Sequence, residues 1–298
     1  MLNPHQEEIT QLAELIPMNN PMAVLGEAEA TYHLMCPSGD FTIVRKVFED
    51  IWSLFKGDFD GYRKCNTPYH DFQHTSDVLI AMTRLLHGAT VEGIRLSSRE
   101  ASLGMIAALM HDTGYIQTTE ENEGTGAVFT RVHIERGILF LKRYFKARGF
   151  SQSDFEFCRN CIYCTCMEID MQGIAFSSTT EELIAKMLGA ADLLGQMADR
   201  IYLEKLDDLF HEFKEGGITD FKNELDLVSK TAGFYNFARK RLSGNLANAE
   251  RFMRAHFQQR WGLDKDLYTE TIKRNLDYLQ KTLANYGANY KQNLRRHT

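Results

Sequence analysis

The chain has 298 residues, a net charge of −6, and hydrophobic and charged fractions of 44% and 25%, which are ordinary values for a globular protein. The net negative charge gives no sign of the basic surface that binds a phosphate backbone, so we expect no nucleic-acid polymer as a partner. No run of about 18 apolar residues predicts a membrane span, and residues 1–10 lack the apolar segment of a secretory signal. We therefore expect a cytoplasmic protein without a membrane partner, whose six cysteines are reduced thiols.

Taken in chain order, the sequence predicts helices joined by polar loops. Residues 1–35 favour one or two short helices around a proline-containing break, and the final six residues are polar and expected to fray. Apolar residues that recur three or four positions apart predict helices over residues 41–55, 98–110, 127–145, 221–229, 234–257 and 267–286. The same pattern predicts further helices that begin at residues 74, 154 and 179. Gly114 is expected to end a helix, and the acidic loop 117–126 has the composition of a lid.

No stretch shows sustained alternation of polar and apolar residues, so we expect an all-α protein with essentially no sheet. We expect N-terminal helices in residues 1–60, a helical core in 61–215 and a C-terminal helical extension in 216–298. These three parts are expected to pack as one compact unit.

Two histidine-containing segments lie where apolar segments begin or end. The first runs from Tyr69 and His70 to His74, and apolar residues share the predicted helical face of His74. The second is the pair His111 and Asp112, which directly follows the apolar run 103–110.

Two aspartates are isolated charges in apolar surroundings. Asp112 is the only formal charge between residues 102 and 116, and Asp192 is the only one between residues 187 and 198. An unpaired buried carboxylate is costly, so each should have a cation or strong donors beside it.

Together these positions offer a mixed set of nitrogen and oxygen ligands from His74, His111, Asp112 and Asp192. Such a set suits divalent manganese, iron, zinc, cobalt, nickel or magnesium, and one or two such ions are expected. Four protein ligands would leave room for a water that a cation converts into a nucleophile near neutral pH. His70 could protonate a leaving oxygen as general acid. The ordinary alternatives are that Asp192 bridges helices and that His70 only orients its loop.

A histidine, a later histidine–aspartate pair and a distant aspartate in an apolar helix resemble the HD-domain metal-dependent phosphohydrolases. The segment Tyr69-His70-x-x-x-His74-x-x-Asp77-Val78 resembles most the cyclic nucleotide phosphodiesterase branch, and the likeness spans about residues 69–206. It implies an HD-domain-like helical bundle with extra N- and C-terminal helices. By this resemblance the first metal is held by His74, His111, Asp112 and Asp192.

The resemblance also suggests further roles in catalysis. His70 would be the general acid, Asp112 would take part in catalysis by bridging to a second metal, and His133 would bind or support that ion. On an apolar helical face, a lone histidine such as His133 is otherwise an ordinary core residue. Tyr69 and Tyr115, which flank the motifs, are candidates for contacting substrate.

This sequence departs from the family patterns at positions that bear on the substrate. The phosphodiesterase branch has a further histidine where this chain has Tyr115, and its downstream asparagine is missing. Cyclic-di-GMP enzymes have a lysine at the position of Tyr115 and a later His-His-Glu segment, and this chain has neither. The sequence therefore leaves the substrate open.

Three functions follow from these residues. The first is a metal-dependent phosphohydrolase, a phosphodiesterase acting on a nucleotide or another small phosphate ester. The alternatives are an HD-type di-iron oxygenase that adds His133 to the same ligands, and a non-catalytic metal-binding or nucleotide-binding regulatory domain. The helices after residue 215 could close the site or form a homodimer.

Four cysteines lie close together, at 158, 161, 164 and 166. Their spacing is compatible with a zinc or iron–sulfur site, but the segment lacks the glycine-containing knuckle typical of a zinc clip. On a helix the first three form one stripe beside apolar residues. We therefore expect them to be buried in the core as small hydrophobic side chains.

Overall fold

The protein is described by a computed structural model, whose described residues are 11–294. Within that range the regular structure is helical and no strand occurs, apart from an isolated antiparallel bridge between Tyr62 and Thr118. The α-helices are α1 (Pro21–Met35), α2 (Thr42–Lys56), α3 (Phe72–Val91), α4 (Ser98–Met110), α5 (His133–Arg148), α6 (Gln152–Tyr163), α7 (Thr179–Ala198), α8 (Leu206–Glu215), α9 (Glu224–Ser243), α10 (Phe252–Trp261) and α11 (Leu267–Tyr286). The predicted all-α class is confirmed.

Helix α3 is the central element of the bundle. It packs against α1, α4, α7 and α10, and its residues from Val78 to Ala89 are all buried. A helix that is buried on every side must be enclosed by other helices. The central position of α3 explains how one end of it can meet both α4 and α7, which carry the other site residues.

Side-chain caps define where several helices begin. Ser97 accepts a hydrogen bond from the N–H of Glu100 at the start of α4, and Ser151 and Ser178 make equivalent bonds at α6 and α7. Such caps satisfy N–H groups that lack a partner within the helix, typically stabilising it by about 1 kcal/mol.

The hydrophobic core continues through the three parts of the predicted organisation. Buried apolar residues from Ile16 near the N-terminus to Tyr290 near the C-terminus belong to one packed cluster. No helix within residues 11–294 is both long and apolar enough to cross a bilayer. The sequence-based expectations for residues 1–10 and 295–298 lie outside the described part of the chain.

The predicted helix over 127–145 begins too early. Residues Gly126–Phe129 form a 3₁₀ turn, and α5 starts only at His133. A Cβ atom at Gly126 would lie 2.1 Å from the carbonyl oxygen of Tyr115, so the turn packs directly on the backbone that follows the pair His111 and Asp112. This close approach, which cannot be seen from periodicity, delays the start of the helix.

The C-terminal boundaries also differ from the prediction. The predicted helices 221–229 and 234–257 are instead the continuous helix α9 followed, after a break, by α10. Gly244 ends α9, and Ala247 and Asn248 adopt left-handed backbone angles, with φ values of 51° and 55°. The sequence reasoning did not identify α8 as a separate helix.

Candidate metal centre

His74 lies in the first turn of α3. The side chain of the capping residue Asp71 accepts a hydrogen bond of 2.9 Å from the backbone N–H of His74, which fixes the start of the helix. The His74 imidazole is buried, with 6% of its side chain exposed, and its Nε2 atom faces the two site aspartates.

His111 and Asp112 lie directly after α4, where the chain leaves the helix. The Nδ1 atom of His111 is 2.8 Å from the carbonyl oxygen of Ala108. Because a carbonyl only accepts, Nδ1 must carry the hydrogen, and in the neutral ring Nε2 is left with a lone pair.

Gly114 does not end this helix, which stops at Met110, and its backbone is not left-handed. A Cβ atom at Gly114 would instead lie 1.8 Å from the carbonyl oxygen of His133. The glycine therefore lets the N-terminus of α5 approach the histidine–aspartate pair.

Asp192, in the middle of α7, completes a set of four side chains. Its Oδ1 atom lies 3.3 Å from Nε2 of His74 and 3.9 Å from Nε2 of His111. Oδ2 of Asp112 lies 3.4 Å from Nε2 of His74 and 3.1 Å from Nε2 of His111. The two imidazole Nε2 atoms are 3.3 Å apart. The structure thus brings together the four side chains that the sequence singled out.

These distances fit the donor set to one divalent cation. Ligand atoms bound at about 2.1 Å to one ion lie about 3.0–3.4 Å apart in tetrahedral or octahedral geometry. The separations of 3.1–3.4 Å match this value, and the 3.9 Å pair exceeds it slightly. His74, His111 and Asp112 offer ligand atoms that all lie within 4.8 Å of one another, and Asp192 stands outside this group of three but close to both histidines.

The buried polar atoms of the centre lack sufficient partners within the protein. Oδ2 of Asp112 is buried and receives no hydrogen bond of good geometry from the described residues. Four acceptor-type atoms that converge in a buried place repel one another unless protons or a cation lie between them. A divalent cation would satisfy all four atoms at once.

The pKa values show how the protein responds when only protons are available. Burial would lower the pKa of His111, but the adjacent Asp112 and Asp192 carboxylates outweigh it and raise the value to about 9. Burial would raise the pKa of Asp112, but the surrounding histidines, above all His111, hold it well below its usual range. The centre therefore strongly attracts positive charge.

His133, the first residue of α5, lies at the edge of this centre. Its Nδ1 atom donates to the carbonyl oxygen of Thr130 at 2.7 Å, and its Nε2 atom lies 4.0 Å from Oδ1 of Asp112. Burial is the largest influence on the pKa of His133 and lowers it, which favours the neutral ring that a metal requires. His133 thus lies near Oδ1 of Asp112, whereas Oδ2 of the same carboxylate lies near His74 and His111.

His70 is paired with Glu212, a residue that the sequence reasoning missed. Nδ1 of His70 and Oε2 of Glu212 are 2.5 Å apart, and the other carboxylate oxygen accepts a 2.6 Å hydrogen bond from the N–H of Tyr69. Only 2% of the Glu212 side chain is exposed. Burial opposes protonation of His70, but Glu212, Asp112 and Asp192 together raise its pKa.

The sequence contains only a weak signal for Glu212. It lies in α8, 142 residues after His70, at the margin of an apolar face formed by Leu209 and Phe210. No local motif connects it with the histidine, so only the tertiary structure reveals the pair.

Tyr115 forms the wall between His70 and His133. Its ring stacks on His70 at 4.2 Å and on His133 at 4.6 Å between centroids. The Tyr69 ring lies 5.0 Å from His70, and both tyrosines are buried. The structure places these rings as packing partners of the histidines, and their contact with substrate remains a prediction.

The cysteine segment is a structural feature. Cys158, Cys161 and Cys164 are buried free thiols, and burial raises the pKa of each. The guanidinium group of Arg241 donates to the carbonyl oxygens of Cys164 and Cys166 at 3.0 Å and 2.6 Å, just beyond the end of α6. The expected burial in the core is confirmed for the first three cysteines.

The loop 117–126 is held at several points. Thr118 pairs with Tyr62, Glu121 binds Arg136, and Thr125 donates its N–H to Glu215 at 2.5 Å. These bonds connect the predicted lid to α5 and to the end of α8, the helix that carries Glu212.

Fold and site together define an all-helical protein with a buried histidine–aspartate centre. The family described as Npun_R2479-like matches residues 44–254, well over half of the chain and including every residue of the centre. The chain belongs to the Npun_R2479-like family. A comparison with curated proteins gives no match.

Proposed function

We propose that this protein is a divalent-metal-dependent phosphohydrolase, most readily a phosphodiesterase that cleaves the phosphodiester bond of a nucleotide or a related small phosphate ester. The observation that carries the proposal is the convergence of Nε2 of His74, Nε2 of His111, Oδ2 of Asp112 and Oδ1 of Asp192 in a buried place. The sequence resemblance to the HD-domain phosphohydrolases supports the same interpretation.

The four side chains would hold the cation, and His133 with Oδ1 of Asp112 would hold a second one where two are bound. When bound, such a cation acidifies water to give a nucleophile and stabilises negative charge on a phosphoryl group. The ligands themselves are well oriented, because His111 and His133 are each fixed by a hydrogen bond from Nδ1 to a backbone carbonyl.

His70 is proposed to donate the proton to the leaving oxygen. The ring centroid of His70 is 6.0 Å from that of His74, so the acid lies beside the metal ligands. Glu212 holds Nδ1, which leaves Nε2 as the atom that donates, and it stabilises the imidazolium. Stacking on Tyr115 keeps the ring in this orientation.

The test compares two leaving groups in the His70→Ala variant. Nitrophenolate departs without a proton, whereas the alkoxide of a nucleoside phosphodiester needs one. With Mn²⁺ present, we expect the variant to lose about 10²–10⁴-fold in turnover of cyclic and linear nucleotide diesters, and far less with bis(4-nitrophenyl) phosphate. Its metal content should be unchanged.

The matched control is His211→Ala, which removes the exposed histidine next to Glu212 and should leave both activities intact. Equal loss with both substrates would show that His70 is not the acid. Absence of any phosphoesterase activity in metal-loaded protein would refute the proposed reaction. Bound iron with substrate-dependent oxygen uptake would instead support the di-iron oxygenase.

A further inference from the structure

A cavity lies beside α7, between α9 and α11, and is separate from the metal centre. Its volume is about 630 Å³, which is within the range of pockets that hold small molecules. Leu194, Met197 and Ile272 line one part of it, and Tyr235 adds an aromatic ring. These apolar residues provide a surface on which a planar ring can lie.

Two basic residues line the cavity. Arg239 and Lys240, in the last two turns of α9, both line it and are both exposed. Neither makes an ion pair with another of the residues described. Within residues 11–294, Arg239 contacts only the ring of Tyr235, 5.9 Å from its centroid, so two cations without a carboxylate partner line the cavity, and they suit a phosphate group.

The lining also includes a carboxylate oxygen that has no hydrogen-bond donor among the described residues. Oε2 of Glu250 is buried and has no hydrogen-bond partner in the described part of the chain. Arg251, the cation next to it in sequence, donates instead to the carbonyl oxygens of Ala247 and Asn248. A donor from a bound molecule, such as an amino group, would satisfy this buried oxygen.

The backbone beside Glu250 is strained. Ala247 and Asn248 both have positive φ, a conformation that costs about 1 kcal/mol for alanine, and Asn248 lines the cavity. Ser243 and Thr269 add hydroxyl groups to the lining. These groups suit the hydroxyl-rich middle part of a ligand.

We propose that this cavity binds a nucleoside 5′-monophosphate, with its phosphate at Arg239 and Lys240 and the amino group of its base at Glu250. An anionic group, a planar apolar ring and an amino donor are required together, and a free amino acid or inorganic phosphate offers only some of them. The assignment is independent of the reaction proposed above for the metal centre.

The test is calorimetric titration of the full-length protein with AMP, GMP, CMP and UMP, with EDTA present so that metal-bridged binding at the other centre does not contribute. We expect binding by at least one amino-bearing nucleotide, and weaker binding of UMP, whose base presents carbonyl groups instead. Arg239→Ala with Lys240→Ala should weaken the binding by about tenfold or more. Glu250→Gln should reduce the preference over UMP.

The control is Lys142→Ala with Lys146→Ala, which removes two exposed cations from the equivalent end of α5 and should leave affinity unchanged. Circular dichroism and thermal unfolding would confirm that the variants are folded. The site assignment is overturned if none of the four nucleotides binds at millimolar concentration, or if the Arg239–Lys240 variant binds as tightly as the parent.

Discussion

At the scale of single residues, Glu212 decides how His70 can act. It accepts from the His70 ring and from the Tyr69 backbone, and it is itself buried. A buried carboxylate held in this way keeps a proton on the imidazole and fixes which ring nitrogen is free.

Replacement of Glu212 should therefore change the pH dependence of catalysis. Glu212 raises the pKa of His70, so Glu212→Gln should lower the pKa of His70. His70 would then lose its proton, and its ability to act as the acid, at a lower pH. We expect the alkaline limb of kcat/KM to move to lower pH and the rate near neutral pH to fall by about 10–100-fold. An unchanged limb would mean that another group supplies the proton. The exposed Glu156→Gln, in α6, is the control.

His111 gives a second residue-scale prediction, for protein stripped of metal with EDTA. Its pKa is raised from an ordinary 6.5 to about 9, so its protonation stabilises the fold below pH 6.5, and this stabilisation is lost as the pH rises to 9. The free energy of unfolding should fall by on the order of 2 kcal/mol across that range.

The measurement is urea unfolding at several pH values, with and without Mn²⁺. The cation replaces the proton, so the stabilisation by Mn²⁺ should grow between pH 6.5 and pH 9. His111→Gln should remove most of this pH dependence. A wild-type protein with the same stability across the range would contradict the charge distribution described for the centre.

Residues differ in how far their roles could be predicted from the sequence. Asp112 and Asp192 are lone charges in apolar runs, and the cost of burying such a charge is a local signal that needs no tertiary information. Glu212 is one acid among several in an amphipathic helix, and Glu250 follows a loop with no motif. Their importance depends on neighbours distant in sequence, which a pattern cannot supply.

At the scale of elements, the contact between the turn after α4 and the start of α5 positions His133. Gly114 has a backbone carbonyl where a Cβ atom would lie, whereas Gly137, opposite it in α5, meets only ordinary contacts of 3.4 Å or more. The two glycines therefore offer a matched pair.

Gly114→Ala should force α5 away and destabilise the protein by about 1–3 kcal/mol, as overpacking does. Gly137→Ala should be neutral or stabilising by up to about 1 kcal/mol, since alanine favours helix. Chemical unfolding of both variants would check these stabilities. Metal titration should show that only Gly114→Ala weakens the binding of a second ion. Similar destabilisation by both would show that the close approach is not the reason for the glycine.

Long periodic segments such as α2, α4 and α11 were predicted within a few residues. The prediction failed where one backbone packs on another, as at Gly126, and where α9 is followed by left-handed residues at 247 and 248. A helical pattern shows which face is buried but contains no information on contacts between backbones.

At the scale of the whole molecule, the central helix α3 is joined to α10 by two buried histidines. Nδ1 of His87 and Nδ1 of His256 lie 3.0 Å apart, so one ring donates to the other. Burial lowers the pKa of both, and nearby Arg84 and Arg260 add to this effect. Both histidine rings are therefore uncharged in the folded protein.

This pair should make the fold sensitive to acid. A lowered pKa means that the unfolded chain takes up protons first, so stability is fully present above about pH 6.5 and decreases below it. We expect the free energy of unfolding to fall between pH 7 and pH 5, and the fall to be shallower in His256→Gln. An equally steep fall in that variant would assign the acid sensitivity to other groups.

Anomalous diffraction from crystals grown with Mn²⁺ would show whether His74, His111, Asp112 and Asp192 share one cation. We expect a manganese peak at about 2.0–2.3 Å from the four ligand atoms, and its loss in Asp192→Asn crystals. Lack of a peak between these four atoms at saturating Mn²⁺, even with peaks elsewhere in the molecule, would contradict this expectation.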